Sequence, residues 1–243
     1  MNDFKSNYNY LKCFLATMLS VLLLSSVHSQ DQIKPHIANY EVSVRGIKGN
    51  LDTTLSTKEN VYVAKNDLNA SGIASIFLKG NVKESSTFSI LNSNFLPVSF
   101  SSIDTMSKEK NSIAIRFEKN KNLISSVFNG EKKILPYDQN TFDRLSLKYA
   151  LMLDLNNQNL LPQYKVFEGE NTKIISVEII ESKILNVPYG EFKVIGIKNH
   201  EKGSSKRSIL WCAEELDYLP VVIEQYRNEK LWMQAKLSYH EFK

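Results

Sequence analysis

The chain has 243 residues, of which 42% are hydrophobic and 23% charged, with a formal net charge of +4. That balance excludes a low-complexity disordered chain, a collagen-like repeat and a polytopic membrane protein. Lysines stand singly or in close pairs such as Lys132–Lys133. No basic stripe interleaved with aromatics occurs, which argues against nucleic acid as a partner.

Residues 1–12 are mostly polar and carry Lys5 and Lys12. Cys13 to Leu24 then form an apolar run interrupted only by Thr17 and Ser20, and SSVHSQ follows. Val27 and Ser29 have the small or aliphatic character and spacing that signal peptidase reads. Residues 1–29 are therefore predicted to be a secretory signal, cleaved near Ser29. Residues 30–243 are expected to form a single β-rich domain in the periplasm, part of the cell envelope. The apolar run is shorter than the roughly 18–20 residues of a spanning helix, and no later run approaches that length, so no integral membrane span is expected after cleavage. Cys13 precedes the run, so no cysteine is placed to carry a lipid anchor. Cys212 alone remains after cleavage, which leaves no intramolecular disulfide. It reads as a small buried hydrophobe.

From the predicted cleavage site onward the dominant signal has period two, the mark of half-buried strands. Tyr40, Val42 and Val44 alternate with polar residues. Leu51, Thr53 and Leu55 continue on the opposite parity after a turn or bulge at Gly46. Val61 and Val63 follow, then a run ending at Phe88 and Ile90. The next strand is predicted to start after Pro97. Ile113, Ile115 and Phe117 lead to a turn at EKNKN, and Asn129-Gly130 marks a hairpin. The sequon Asn69-Ala70-Ser71 marks an exposed loop. Between the two strand-rich halves, residues 141–155 read as a helix, capped by Asn140 with Asp143 at its third position. Phe142, Leu145, Tyr149 and Met152 fall on one face. Leu147, Leu151 and Leu155 form a second stripe on roughly the far side. A helix resting on a sheet needs one apolar stripe. The second stripe must be covered by sheet, loop or ligand, which makes Leu147, Leu151 and Leu155 the ligand-facing candidates. Beyond the helix, Ile175, Val177 and Ile179 alternate, Pro188 and Gly190 form a turn, and strands follow around Val194, Trp211, Val221 and Trp232–Tyr239. Ten to twelve strands at hairpin spacing predict an antiparallel meander.

Metal-binding HxH, HExxH and CxxC patterns are missing, as are glycine-rich phosphate loops and the GxSxG elbow. No metal, cofactor or catalytic residue is assigned. His36, in the tail after Pro35, His200, in a surface turn, and His240, near the last residue, each read as structural or solvent-facing. Glu214, Glu215 and Asp217 cluster, and Asp138 and Asp143 flank the helix start. Paired acids suit acid–base chemistry, so an acid-based hydrolase is the one enzymatic alternative. The expected reading is a solvated turn and helix-start residues, and no enzyme.

Five segments in order carry a resemblance. DRLSLKYAL, with Asp143 and Ser146, VPYGEFKVIGIK, WCAEELDYLPVVIE, NYEVSVRGIKGN and FLPVSFSS together resemble the bacterial family called domain of unknown function 3108, over roughly residues 37–240. The resemblance implies an exported envelope protein with a curved antiparallel sheet wrapped on a helix, and no established activity. It implies architectural roles for Gly190, Trp211, Asp217 and Pro220, with the glycine and proline in turns and the tryptophan in the core. The expected fold is mainly β: one strongly curved antiparallel sheet, a partial barrel, around one buried helix near 141–155. The expected function is a non-enzymatic binding or carrier module for an apolar or amphipathic envelope component, such as a lipid-like ligand. The alternative is a structural or scaffolding partner in envelope assembly.

Overall fold

A computed structural model describes residues 32–243 except 73–74, 76–79 and 108–109. The predicted signal segment, Cys13 included, lies outside the described residues.

The chain first runs through eight strands: β1 (His36–Val44), β2 (Ile47–Lys58), β3 (Val61–Ala70), β4 (Asn81–Leu91), β5 (Asn94–Asp104), β6 (Asn111–Glu118), β7 (Leu123–Phe128) and β8 (Glu131–Pro136). A two-residue strand β9 (Thr141–Phe142) and the helix α1 (Arg144–Asn156) follow. The second run comprises β10 (Gln163–Phe167), β11 (Thr172–Val187), β12 (Gly190–Glu201), β13 (Lys206–Ala213), β14 (Leu219–Arg227) and β15 (Lys230–Phe242).

All fifteen strands belong to one sheet, ordered β8 through β1, then β15 back through β9. Each run is thus a meander, and the two are joined where β1 pairs antiparallel with β15, from His36–Phe242 to Val44–Met233. The sheet is not closed by strand pairing: its outermost members are β8 and β9. Pairing is antiparallel except between β9 and β10, which is parallel. The strand count exceeds the expected ten to twelve in part because β9 and β10, of two and five residues, are too short to show an alternation, while the longer strands are divided by tight turns. Those turns hold residues in left-handed backbone, at Arg45-Gly46, Glu59-Asn60, Asn92-Ser93 and Asn129-Gly130. Residues with short polar side chains, and glycine above all, tolerate that conformation.

Four local expectations are corrected. The helix starts at Arg144 rather than 141, because Asp143, not Asn140, is its cap. The Asp143 carboxylate accepts from the Leu145 and Ser146 amides, and the Ser146 hydroxyl closes the capping box. Asn140 sits before it in left-handed backbone. Pro97 lies inside β5 rather than ahead of it, where the β4–β5 register slips after Thr87. A proline has no amide to donate, and a bulge accommodates it. Asn69 is half-buried in β3 instead of lying in a loop, and its side-chain amide donates to Asp67.

The buried residues fall into two clusters that meet at the helix. Leu145, Tyr149, Met152 and Leu153 join the larger one, with Tyr40, Phe88, Trp211 and Leu237. Leu147, Ala150, Leu151 and Leu155 join the smaller, with Tyr164, Val177 and Ile197. Phe142, expected with the first stripe, packs in the second cluster, because it precedes the helix and lies on β9. Almost the whole circumference of α1 is buried, which is why its apolar residues are not confined to one arc.

Candidate functional site

The helix is fixed at its amino end by a buried polar knot. Asp143 takes two backbone amides, and its second oxygen accepts from the Ser86 hydroxyl of β4 at 2.8 Å. Burial raises the Asp143 carboxyl pKa, and the hydrogen bonds from Ser146, Ser86 and Leu145 oppose that rise. The next residue, Arg144, reaches Glu84 of β4 and the Ser102 hydroxyl of β5.

Beside the helix lies a cavity of about 460 Å³, within the ordinary range of small-molecule sites. Leu147 and Leu151 of α1 line it. Leu51 of β2, Leu68 of β3 and Val82 of β4, consecutive partners across the sheet, line it from one run. Leu210 of β13 and Ile223 of β14, directly paired, line it from the other. The cavity is therefore lined by residues of both runs and of the helix. Leu155 does not line it; that side chain is buried in the smaller cluster near Tyr164.

The lining changes character along β13 and β14. The pair Leu210–Ile223 is followed by Ser208–Gln225 and then by Lys206–Arg227, and all six residues line the cavity. Alternation places every second residue of a strand on the same face, so these three rungs share one face and grade from apolar to polar to cationic. Lys173 stands near the same end, held by Glu168 at 2.5 Å and Glu201 at 3.7 Å. His200 also lines the cavity, and its buried Nδ1 has no partner among the described residues. Lys148 lines it from the helix, with its ammonium 4.4 Å from the centre of the Tyr149 ring. Burial pulls the Lys148 pKa down to about 7, and Glu84 pulls the other way.

A second polar group lies against the opposite face of α1. His36 is 1% exposed, not part of a tail: β1 begins with it, and its ring lies 5.9 Å from Tyr149 and 5.7 Å from His240. Its Nδ1–H donates to the Lys34 carbonyl. Its Nε2, the Tyr149 hydroxyl and the His240 Nε2 are buried with no partner among the described residues. Burial lowers the His36 pKa to about 4, with Lys148 adding to the effect. Burial also lowers that of His240, against the opposing charge of Asp217. None of these three lines the cavity.

The other predicted residues are dispersed. Trp211 is buried, its indole N–H donating to Glu224 and its ring covered by the Lys183 ammonium at 3.4 Å. A Cβ on Gly196 would come within 2.6 Å of that ring, so a glycine is required there, a need that strand alternation does not reveal. Gly190 opens β12 after the Pro188-Tyr189 turn. Pro220 is buried within β14, not in a turn, where the register to β13 slips after Trp211, and its carbonyl accepts from Tyr40. Asp217 caps a short turn in left-handed backbone and pairs with Lys34 at 3.0 Å. Glu214 and Glu215 are exposed, and none of the three acids lines the cavity. Asp138 pairs with Lys165 at 2.5 Å. Cys212 is free and buried, and burial pushes its thiol pKa up. His200 lies in β12, not in a surface turn. Reading single residues missed Lys148, Lys206, Arg227 and His36. Parity with Leu210 and Ile223 could have flagged Lys206 and Arg227. Nothing local marks His36.

Residues 39–228 match the family model described as protein of unknown function DUF3108, and the chain belongs to that family. Among curated proteins nothing matches. A crystal structure of a β-barrel-like protein of domain of unknown function DUF1849 from Brucella abortus is similar at a TM-score of 0.56, with 8% identity, over 87% of this chain and 99% of that one. That likeness concerns the fold alone. A protein described as exported, with a YmcC-like fold, from Bacteroides fragilis aligns at a TM-score of 0.37 and 11% identity, over 86% of this chain and 96% of that one. A protein described as a lipoprotein from Parabacteroides distasonis aligns at 0.33 and 12%, over 87% and 96%. The last two scores are too low to bear on this fold. No helix among the described residues is long and apolar enough to cross a membrane.

Proposed function

We propose that the protein is an exported, periplasmic, non-enzymatic carrier for an apolar or amphipathic envelope component, held in the cavity beside α1. The observation that carries this reading is the 460 Å³ space bordered by Leu147 and Leu151. Export rests on the charged, apolar and small-residue order of residues 1–29.

The sheet is read as a strongly curved partial barrel. Only residues 137–140 separate β8 from β9, the two outermost strands. A flat sheet of fifteen strands would hold them about 67 Å apart at ~4.8 Å per strand. The five backbone steps from 136 to 141 reach at most about 19 Å. Side chains also bridge the two ends: Ser126 of β7 donates to the Gly169 carbonyl, and Lys133 of β8 pairs with Glu170. Rolled sheets of this kind hold apolar ligands.

Native mass spectrometry of the protein purified gently from the periplasm, with organic extraction, tests the carrier. A reproducible lipid-like mass, lost in a Leu147→Trp variant that fills the cavity and keeps its unfolding midpoint, is expected. A ligand-free mass under all gentle conditions overturns the reading.

One observation favours the scaffold alternative. β10 pairs with β11 only over Thr172–Ser176. Among the described residues, 178–179 and 182–187 have a strand partner on one side only, β12, with a bulge at 180–181 between them. Ile179, Ile180 and Ile184 are exposed along that stretch. An open, apolar strand edge is a pairing site for another chain. Crosslinking in cells through position 184 would trap a specific partner on this reading, and loss of trapping on Ile184→Lys would localise it. No trapped species would sink it.

A further inference from the structure

Resting on the carrier reading, we infer that the cavity takes an amphiphile with one alkyl chain and an anionic head, carboxylate or phosphate, and that Lys206 and Arg227 bind the head.

Three observations converge. The rungs Leu210–Ile223, Ser208–Gln225 and Lys206–Arg227 place an apolar, a polar and a cationic pair in sequence along one face of β13 and β14, all on the cavity lining. A bound chain with a charged head matches that order in one orientation only. Second, Lys206 and Arg227 are directly opposed across the strands. Like charges so placed repel and weaken the sheet, and nothing in the fold offsets the repulsion: neither forms an ion pair with an acid among the described residues. Arg227 is instead stacked on Trp232 at 3.7 Å, which fixes its guanidinium. A bound anion turns that repulsion into attraction. Third, the acids at this end are already engaged. Glu168 and Glu201 hold Lys173, and Glu229 holds Arg207. They leave the Lys206–Arg227 pair as the uncompensated charge. His200, with its buried Nδ1 unpartnered on the same lining, supplies a further polar contact.

The test is displacement of a fluorescent apolar probe from the purified protein by ligands of one chain length: dodecanoate, dodecyl phosphate, dodecanol and dodecyltrimethylammonium. Both anions are expected to bind at least about tenfold tighter than dodecanol, and the cationic detergent weakest. In a Lys206→Gln, Arg227→Gln double variant the anions should lose about five- to tenfold, the size expected of two partly exposed ion pairs, while dodecanol is unchanged. Higher salt should weaken the anions alone. The ratio of dodecanoate to dodecyl phosphate tells a fatty acid from a phospholipid headgroup. Equal binding of anion and alcohol, unmoved by the double variant, overturns the head-group assignment and leaves the carrier intact. No displacement by any of the four overturns both. Both replaced side chains are at the cavity end rather than in the core, and an unchanged unfolding midpoint confirms that the variant is folded.

Discussion

The two flanks of helix α1 are built from similar residues and end in different states. On one flank, Tyr149 and Met152 are closed in by Phe88, His36 and the larger cluster, with rings 5.6 and 5.9 Å from Tyr149. On the other, Leu147 and Leu151 are also buried, at 9% and 2% exposed, yet border a cavity. The difference is in the partners. Aromatic rings from β1 and β4 lie directly on the first flank, whereas the second flank, packed in part by Phe142 and Tyr164, also borders a cavity lined by aliphatic and polar side chains of both runs. Shielding from water is therefore no measure of packing, since an unfilled space leaves its lining without contacts on one side.

The sharpest test removes side-chain volume from each flank in turn. Met152→Ala should cost about 4 kcal/mol, as for a fully packed core methionine. Leu147→Ala should cost at least ~1 kcal/mol less, because part of its surface touches no atom. Denaturant unfolding of the two variants checks this, and equal losses would break the comparison.

The closed flank should also be the acid-sensitive one. His36 is neutral when folded, with its pKa near 4 against an ordinary 6.5. Above pH 6.5 both states are uncharged at this position and the stability is complete. As pH falls below 6.5 the unfolded chain takes up the proton first, so stability is lost until about pH 4, where the folded form follows. A shift of that size corresponds to about 3 kcal/mol at most. His240 acts in the same sense, and Asp143, whose carboxyl is raised by burial, in the opposite one. The difference between wild type and His36→Phe, measured from pH 7.5 to 4, isolates the His36 share and should shrink as pH falls.

Both flanks depend on one anchor. Asp143→Ala removes the cap and leaves the Ser86 hydroxyl buried without its acceptor, a loss of about 2 kcal/mol. Asp143→Asn should recover most of it. The smallest expected effect belongs to the open flank: Lys206→Glu converts the cross-strand repulsion with Arg227 into attraction and should stabilise by about 0.5 kcal/mol at low salt. The gain should fade in 1 M salt.

The helix stripe was readable because its period is local: Leu147, Leu151 and Leu155 stand four apart whatever surrounds them. Period two likewise exposed the strands around Tyr40, Ile113 and Val177. What sequence could not supply was register. Lys206 and Arg227 become a pair only through the slip after Trp211 that Pro220 imposes on β13 and β14, and no pattern of hydrophobicity predicts a one-residue slip. His36 was misplaced for a related reason. Its neighbours Pro35 and Lys34 look like a tail, and its burial comes from β15, some two hundred residues away. Leu155 shows the limit of the helix reading itself, since period gives the face and not whether that face meets atoms or space.

The seam between β1 and β15 has a consequence for how the fold can be rewired. The Lys243 amide donates to the Pro35 carbonyl, so the two ends of the folded body are adjacent. Joining them and opening the chain at 137–140 would give a circular permutant running β9 to β15 and then β1 to β8, in which every neighbouring pair of strands is also consecutive in sequence. The most distant pairing in the native order would become a hairpin. Because low contact order speeds folding, that permutant should fold faster than the native arrangement while keeping the same sheet.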